Sequence, residues 1–198
     1  MFWDNVAPLY DFFEKFYNGK VYRKTSEAVA KEITASDEVL ECACGTGAIT
    51  VAIAPLCKNL VATDVSSGML QQTAKKVKPF SHVKLMKADI TSLPYQDNQF
   101  DKVVAGNIIH LLDEPNVVVK EVLRVCKKGG ALIIPTYINI KQGKPSVMTR
   151  LLEKAGAGFK RQFDEQTYKN FFYDAGYTDV SYHIVKGRMS CMIAVIRK

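Results

Sequence analysis

The chain has 198 residues, 47% hydrophobic and 24% charged, with 27 Lys and Arg against 20 Asp and Glu for a net charge of +7. That length suits one domain, and a chain of this size buries roughly 70% of its unfolded surface, so it needs no disulfide or metal staple. The apolar content excludes a disordered chain, no apolar run approaches the ~20 residues of a membrane span, and Met1-Phe2-Trp3-Asp4 lacks the basic-then-apolar pattern of a signal peptide.

The chain opens on an aromatic leader: Phe2, Trp3, Tyr10, Phe12, Phe13, Phe16 and Tyr17. It reads as a short helix packed across a cleft. Lys20 to Ile33 follows as a second helix, with Val21, Ala28, Val29 and Ile33 near helical spacing. Strands and helices then alternate. Glu38-Val39-Leu40 begins a strand that enters a glycine turn, and Thr46 to Leu56 is a helix broken near Pro55. Leu60 to Thr63 is a strand ending in Asp64. Ser66 is an N-cap for a helix over Met69 to Val77. Val83 to Ala88 is a strand ending at Asp89, and Val103 to Ala105 a strand ending at Gly106-Asn107. Asn116 to Lys128 is an amphipathic helix stopped by Gly129-Gly130. Ala131 to Tyr137, Val180 to Val185 and Cys191 to Ile196 are strands, with a helix over Glu165 to Ala175 between the first two.

This alternation predicts an α/β fold: a three-layer, doubly wound, Rossmann-like sandwich with a mostly parallel sheet. The last two strands have only Lys186-Gly187-Arg188 near their turn, so they form an antiparallel hairpin. The expected organisation is a single domain over 1–198, with a helical leader over 1–35 and a basic insertion over 138–163. The insertion carries Lys141, Lys144, Arg150, Lys154, Lys160 and Arg161 against Glu153 alone. Five cysteines, an odd number without a secretory signal, read as reduced thiols in a cytoplasmic protein. Cys42 and Cys44, two apart, with three histidines in the whole chain, do not make a zinc site, and no metal is expected.

In such folds ligands bind at the carboxyl ends of the strands. The first strand runs into Glu41-Cys42-Ala43-Cys44-Gly45-Thr46-Gly47, where glycines allow a tight turn and a close ligand. Glu41 would repel a pyrophosphate and attract a cation, and Thr50 stands where a dinucleotide fingerprint wants a third small residue. Asp64 can accept two hydrogen bonds from a ribose diol. Asp89-Ile90 suits adenine, the acid facing the amine and the apolar side chain covering the ring. Asn107 ends the fourth strand, with His110 one helical turn on. Each acid alone reads equally as a turn former or helix cap. Their common placement around one crevice is the signal.

Five segments carry a family resemblance. Val39-Leu40-Glu41-Cys42-Ala43-Cys44-Gly45-Thr46-Gly47 resembles the first motif of class I S-adenosylmethionine-dependent methyltransferases of the small-molecule (type 11) group. Ala62-Thr63-Asp64-Val65-Ser66-Ser67-Gly68-Met69-Leu70 is similar to their second strand, and Ala88-Asp89-Ile90-Thr91-Ser92-Leu93-Pro94 with Phe100-Asp101-Lys102-Val103 to their adenine motif and fourth strand. The match spans roughly 37–136 and includes Arg124 to Gly130. Ala43 departs from a usual glycine and Lys128 from a common proline.

The resemblance implies seven strands in the order 3-2-1-4-5-7-6, strand 7 antiparallel, and the cofactor S-adenosyl-L-methionine, leaving as S-adenosyl-L-homocysteine. It implies that Glu41 and the backbone at Ala43 and Asn107 hold the amino end of the methionine moiety. Gly45 and Gly47 pass beneath it, and Asp64 takes the ribose. Val65 and Met69 lie against adenine, Asp89 and the Ile90 amide meet its edge, and Tyr10 and Tyr22 close the site from the leader. His110 is the candidate general base, and Tyr137 could face the acceptor. The acceptor is expected to be a small organic molecule, acidic or amphipathic. Nucleic acid is disfavoured, since no recognised binding module accompanies the charge. The protein is expected as a monomer or homodimer. A cofactor-binding protein without catalysis is the alternative function, and a nicotinamide-dependent oxidoreductase is disfavoured by Glu41 and Thr50.

Overall fold

The computed structural model describes residues 2–139 and 160–198. Most of the basic insertion, 140–159, therefore lies outside the described residues. The elements are α1 (Phe2–Ala30), β1 (Glu38–Cys42), α2 (Ala48–Ile53), β2 (Asn59–Asp64), α3 (Ser67–Val77), β3 (Val83–Lys87), β4 (Phe100–Ala105), α4 (Pro115–Val125), β5 (Cys126–Ile138), α5 (Glu165–Asp174), β6 (Val180–Val185) and β7 (Ser190–Arg197). One seven-stranded sheet has the order β3-β2-β1-β4-β5-β7-β6. Strands β1 to β5 pair in parallel, while β7 runs antiparallel to both β5 and β6. The predicted architecture and strand order are those observed.

Strand alternation sorts the core into two layers. Leu40 and Cys42 of β1, with Val103 and Leu132, pack against Val118 and Val122 of α4 and Tyr168 and Phe172 of α5. Val39, Leu60, Val104 and Ile133 point to the opposite face, where Val21 and Val29 of α1 and Ile53 of α2 cover them. Glu41 shares the parity of Val39, so the fold turns a carboxylate into the α1–α2 side at the end of a central strand. All five cysteines are buried, and none forms a disulfide. No described helix is long and apolar enough to cross a membrane.

Two elements differ from the sequence expectation. The leader and second helix form one helical run, α1, interrupted only at Asn18, whose φ of −137° breaks the helix. Asn18 is buried, and its side-chain amide donates to the Met189 carbonyl at 2.9 Å, so a contact 171 residues away holds the kink. The second difference is at Gly129-Gly130, read as a helix stop. Helix α4 ends at Val125 and β5 begins at once with Cys126, carrying both glycines within the strand. Gly130 is needed for close approach, since a Cβ there would collide with the Asp101 carbonyl oxygen.

Candidate active site

The loop after β1 makes three left-handed turns in five residues, at Ala43 (φ 54°), Gly45 (55°) and Gly47 (85°). Two of the three are glycines, as this region of φ requires at little cost, and Ala43 carries the strain that the departure from glycine implies. A Cβ on Gly47 would come within 2.8 Å of Thr73 Cγ2, so α3 packs against the loop at a distance only glycine permits. Neighbouring elements pin the loop. The Cys44 amide donates to the Thr63 carbonyl (2.9 Å), the Thr73 hydroxyl to the Gly45 carbonyl (2.7 Å) and the Lys76 ammonium to the Thr46 carbonyl (2.7 Å). Asp64 ties loop to strand end: one carboxylate oxygen accepts from the Gly45 amide (2.8 Å) and the other from the Ser66 amide (2.9 Å). Burial still pushes its pKa upward against these bonds.

Helix α1 covers this end of the sheet. Its first turn docks on the start of α3, where Asp4 Oδ1 accepts from the Ser66 hydroxyl (2.7 Å) and the Gly68 amide (2.9 Å). Ser66 meanwhile caps α3 by accepting from the Met69 amide. Trp3 and Tyr10 meet edge-to-face at 6.1 Å between ring centres. Beneath α1 lies a cavity of about 1000 Å³, its open mouth included. Of the residues singled out in the sequence, Tyr10, Tyr22, Glu41, Ala43, Gly45, Asp64, Val65, Met69, Ile90 and Asn107 line it together.

Three do not. Gly47 lies behind the loop as the N-cap of α2. Asp89 is exposed at the rim. Its Oδ1 accepts from the amide and hydroxyl of Thr91, both at 2.8 Å, which makes it the turn former that a strand-end Asp often is, while Ala88 and Ile90 face the cavity. His110 is buried in the turn Ile109–Leu111 behind the wall, and Leu111 reaches the cavity in its place. Burial pulls the His110 pKa down to about 4. The geometry therefore does not present His110 to the cavity as the general base expected of it.

Trp3, Thr25, Ser26, Ile108 and Leu111 line the cavity without having been singled out, and Tyr137 does so as anticipated. Helical periodicity offers no signal for Thr25 and Ser26, which sit inside an ordinary amphipathic run.

The cavity's electrostatics centre on Glu41, which is 1% exposed. Its Oε2 has no hydrogen-bond partner among the described residues, and the same holds for the buried Asn107 Oδ1 and Thr25 Oγ1. Burial raises the Glu41 pKa to about 8, with Asp64 nearby raising it further and Thr50 opposing. Asn107 adopts φ 51°, a left-handed conformation that Asn tolerates, and its amide donates to the Pro135 carbonyl at 2.9 Å. Buried acceptors without donors carry an energetic cost that a ligand can remove. A cationic amine, with several N–H donors, suits the Glu41 and Asn107 oxygens. An anionic phosphate would be repelled.

Comparison with known proteins accords with this site. Residues 40–134 match the family described as a methyltransferase domain. The demethylmenaquinone methyltransferase of Paenarthrobacter aurescens is 28% identical, over 93% of this chain and 80% of its own length. A solved S-adenosylmethionine-dependent methyltransferase from Aquifex aeolicus superposes with a TM-score of 0.68 at 20% identity, over 90% of this chain and 92% of its own. The cyclase SpnF shares the fold with a TM-score of 0.69 at 24% identity, over 84% of this chain and 61% of its own. Residues 40–134 thus form a methyltransferase domain, and the findings support an S-adenosylmethionine-dependent methyltransferase of the small-molecule type.

Proposed function

We propose that this methyltransferase acts on a small amphipathic acceptor with a polar ring and an apolar tail, the chemical class to which demethylmenaquinone belongs. The observation that carries the cofactor assignment is the pair of buried oxygens, Glu41 Oε2 and Asn107 Oδ1, left without donors beside the glycine loop. In this reading they take the ammonium of the methionine moiety. Asp64 uses its remaining lone pairs for the ribose hydroxyls. Val65, Met69 and Ile90 cover the adenine, with Asp89 and the Ile90 amide at its edge. Trp3, Tyr10 and Tyr22 shield the site from water. When bound, S-adenosylmethionine supplies an electrophilic methyl on a sulfonium, and the chain's contribution is chiefly positioning, worth about 7–11 kcal/mol of barrier lowering. The acceptor end is built from Ile108, Leu111 and Tyr137, a largely apolar wall that suits loss of charge at the sulfonium.

The acceptor assignment is supported by that apolar wall, by the aromatic leader and by the curated relatives' names. It is tested by transfer of labelled methyl to a tailed naphthoquinol in detergent micelles, run beside a panel of water-soluble acids and amines. Turnover on the tailed ring is expected. Turnover confined to hydrophilic acceptors would overturn the assignment, and cofactor binding with no turnover on any acceptor would favour the binding-only alternative.

His110 serves packing in this account. His110→Ala is expected to cost about 2 kcal/mol of stability, lowering Tm by about 4–8 °C, with kcat on the same acceptor within about threefold of the parent. A kcat collapse at unchanged KM and cofactor affinity would restore it as a base.

A further inference from the structure

The register of the hairpin carries an inference about how the acceptor arrives. Strand β7 pairs antiparallel with β5 so that Tyr137 faces Cys191 and Ile138 faces Ser190. The turn between β6 and β7 therefore lies at the carboxyl end of β5, on the same edge of the sheet as Glu41, Asp64, Asn107 and Tyr137. The kink of α1 is knitted to this turn. Asn18 donates to the Met189 carbonyl at 2.9 Å and accepts from the Met189 amide at 3.4 Å. A Cβ on Gly187 would collide with Val21 Cγ2, so turn and helix touch backbone to side chain. The Arg188 guanidinium stands over the Tyr17 ring, 5.7 Å from its centre.

This platform carries a strongly exposed aromatic side chain and three exposed cations. Phe16 is 81% exposed, far more than an aromatic side chain on a structural helix needs to be. Lys20, Lys186 and Arg188, all exposed, surround the same kink and turn. The whole chain carries a net charge of +7. An aromatic side chain among exposed Lys and Arg matches a bilayer interface: the ring enters the acyl boundary and the cations meet anionic headgroups.

We propose that the α1 kink and the β6–β7 turn form a platform that docks the cavity's edge onto an anionic lipid bilayer. Its purpose, delivery of a tailed acceptor, rests on the acceptor class proposed above; the surface itself does not. A free second copy, a nucleic acid or another protein is an alternative occupant that the experiment separates.

The test is co-sedimentation of the full chain with phosphatidylcholine vesicles, with and without phosphatidylglycerol. Binding is expected only to the anionic vesicles and is expected to fall as salt rises. Phe16→Ala and the charge reversal Lys186→Glu with Arg188→Glu are each expected to lower the partition coefficient by about tenfold or more. Methyl transfer to an untailed, water-soluble acceptor should stay at the parent rate in both variants, since none of these residues lines the cavity. No binding to anionic vesicles, or binding indifferent to both variants, would overturn the platform. So would a dimer in sedimentation that Phe16→Ala dissociates, or oligonucleotide binding that these variants abolish while vesicle binding persists. Vesicle binding without turnover of any tailed acceptor would instead sink the acceptor assignment and leave the platform standing.

Discussion

Glu41→Gln is expected to weaken S-adenosylmethionine binding by about 2–3 kcal/mol at pH 8, a 30- to 150-fold rise in Kd, because a charge-assisted bond to the ammonium becomes a neutral one. The same substitution should change how binding depends on pH. In the ligand-free protein burial holds the Glu41 pKa near 8 rather than 4.5. Below pH 8 a cationic ligand must therefore displace a proton, so parent affinity should rise by up to tenfold per pH unit from about 6 to 8 and then level off. The Gln variant has no proton to displace and should lack that slope.

The stability consequence has a defined sign. A carboxyl whose folded pKa is raised contributes stability fully below its unfolded pKa, about 4.5, and loses it as pH rises through 8. At pH 7 this loss is on the order of 3 kcal/mol in the ligand-free protein. Ligand-free Glu41→Gln should consequently melt higher than the parent at pH 8 while binding cofactor worse. Calorimetric melting and titration on the same samples check both. A variant that is less stable and binds normally would mean that Glu41 serves the fold and not the ligand.

The second large effect is expected at Asp64. Removing its carboxylate in Asp64→Ala leaves the Gly45 and Ser66 amides without their acceptor. A buried orphaned donor costs about 1–3 kcal/mol, so a stability loss of about 2–4 kcal/mol is expected, with the loop after β1 loosened. Loss of the ribose contact should weaken cofactor binding by about 1–3 kcal/mol more. Asp64→Asn keeps one carbonyl oxygen and should recover part of the stability but little of the affinity. Hydrogen exchange at the Gly45 amide reads the loop directly. Unchanged exchange with lost affinity would confine Asp64 to ligand contact, and unchanged affinity would refute its ribose role.

Much of this was legible in the sequence because local signals and global topology agree. The glycines of the loop after β1 declare a left-handed turn, and Ser66 declares a helix start. Alternation of strands and helices then dictates which loop ends share an edge. What was not legible depended on distant contacts. Asn18 falls in the break read between the leader and the helix from Lys20, and only Met189, across the fold, explains why that break is a kink within one helical run. Gly129-Gly130 reads as a helix stop, and only the Asp101 carbonyl explains a glycine inside β5. Asp89 and Asp64 look alike as strand-end acids. Thr91, two residues on, offers the first a local turn, while Gly45 draws the second inward. His110 has the right chemistry and spacing for a base, yet burial of its turn places Leu111 at the wall.

The proposed cofactor site turns on two buried oxygens, Glu41 Oε2 and Asn107 Oδ1, whose missing donors a cationic amine would supply. A crystal structure of the full chain with S-adenosylhomocysteine tests it most directly. The product's amino nitrogen is expected within about 3 Å of Glu41 Oε2, with Asn107 Oδ1 as a second acceptor and the ribose at Asp64. A nucleoside bound with its amine facing solvent, or with both oxygens still lacking a donor, would contradict it.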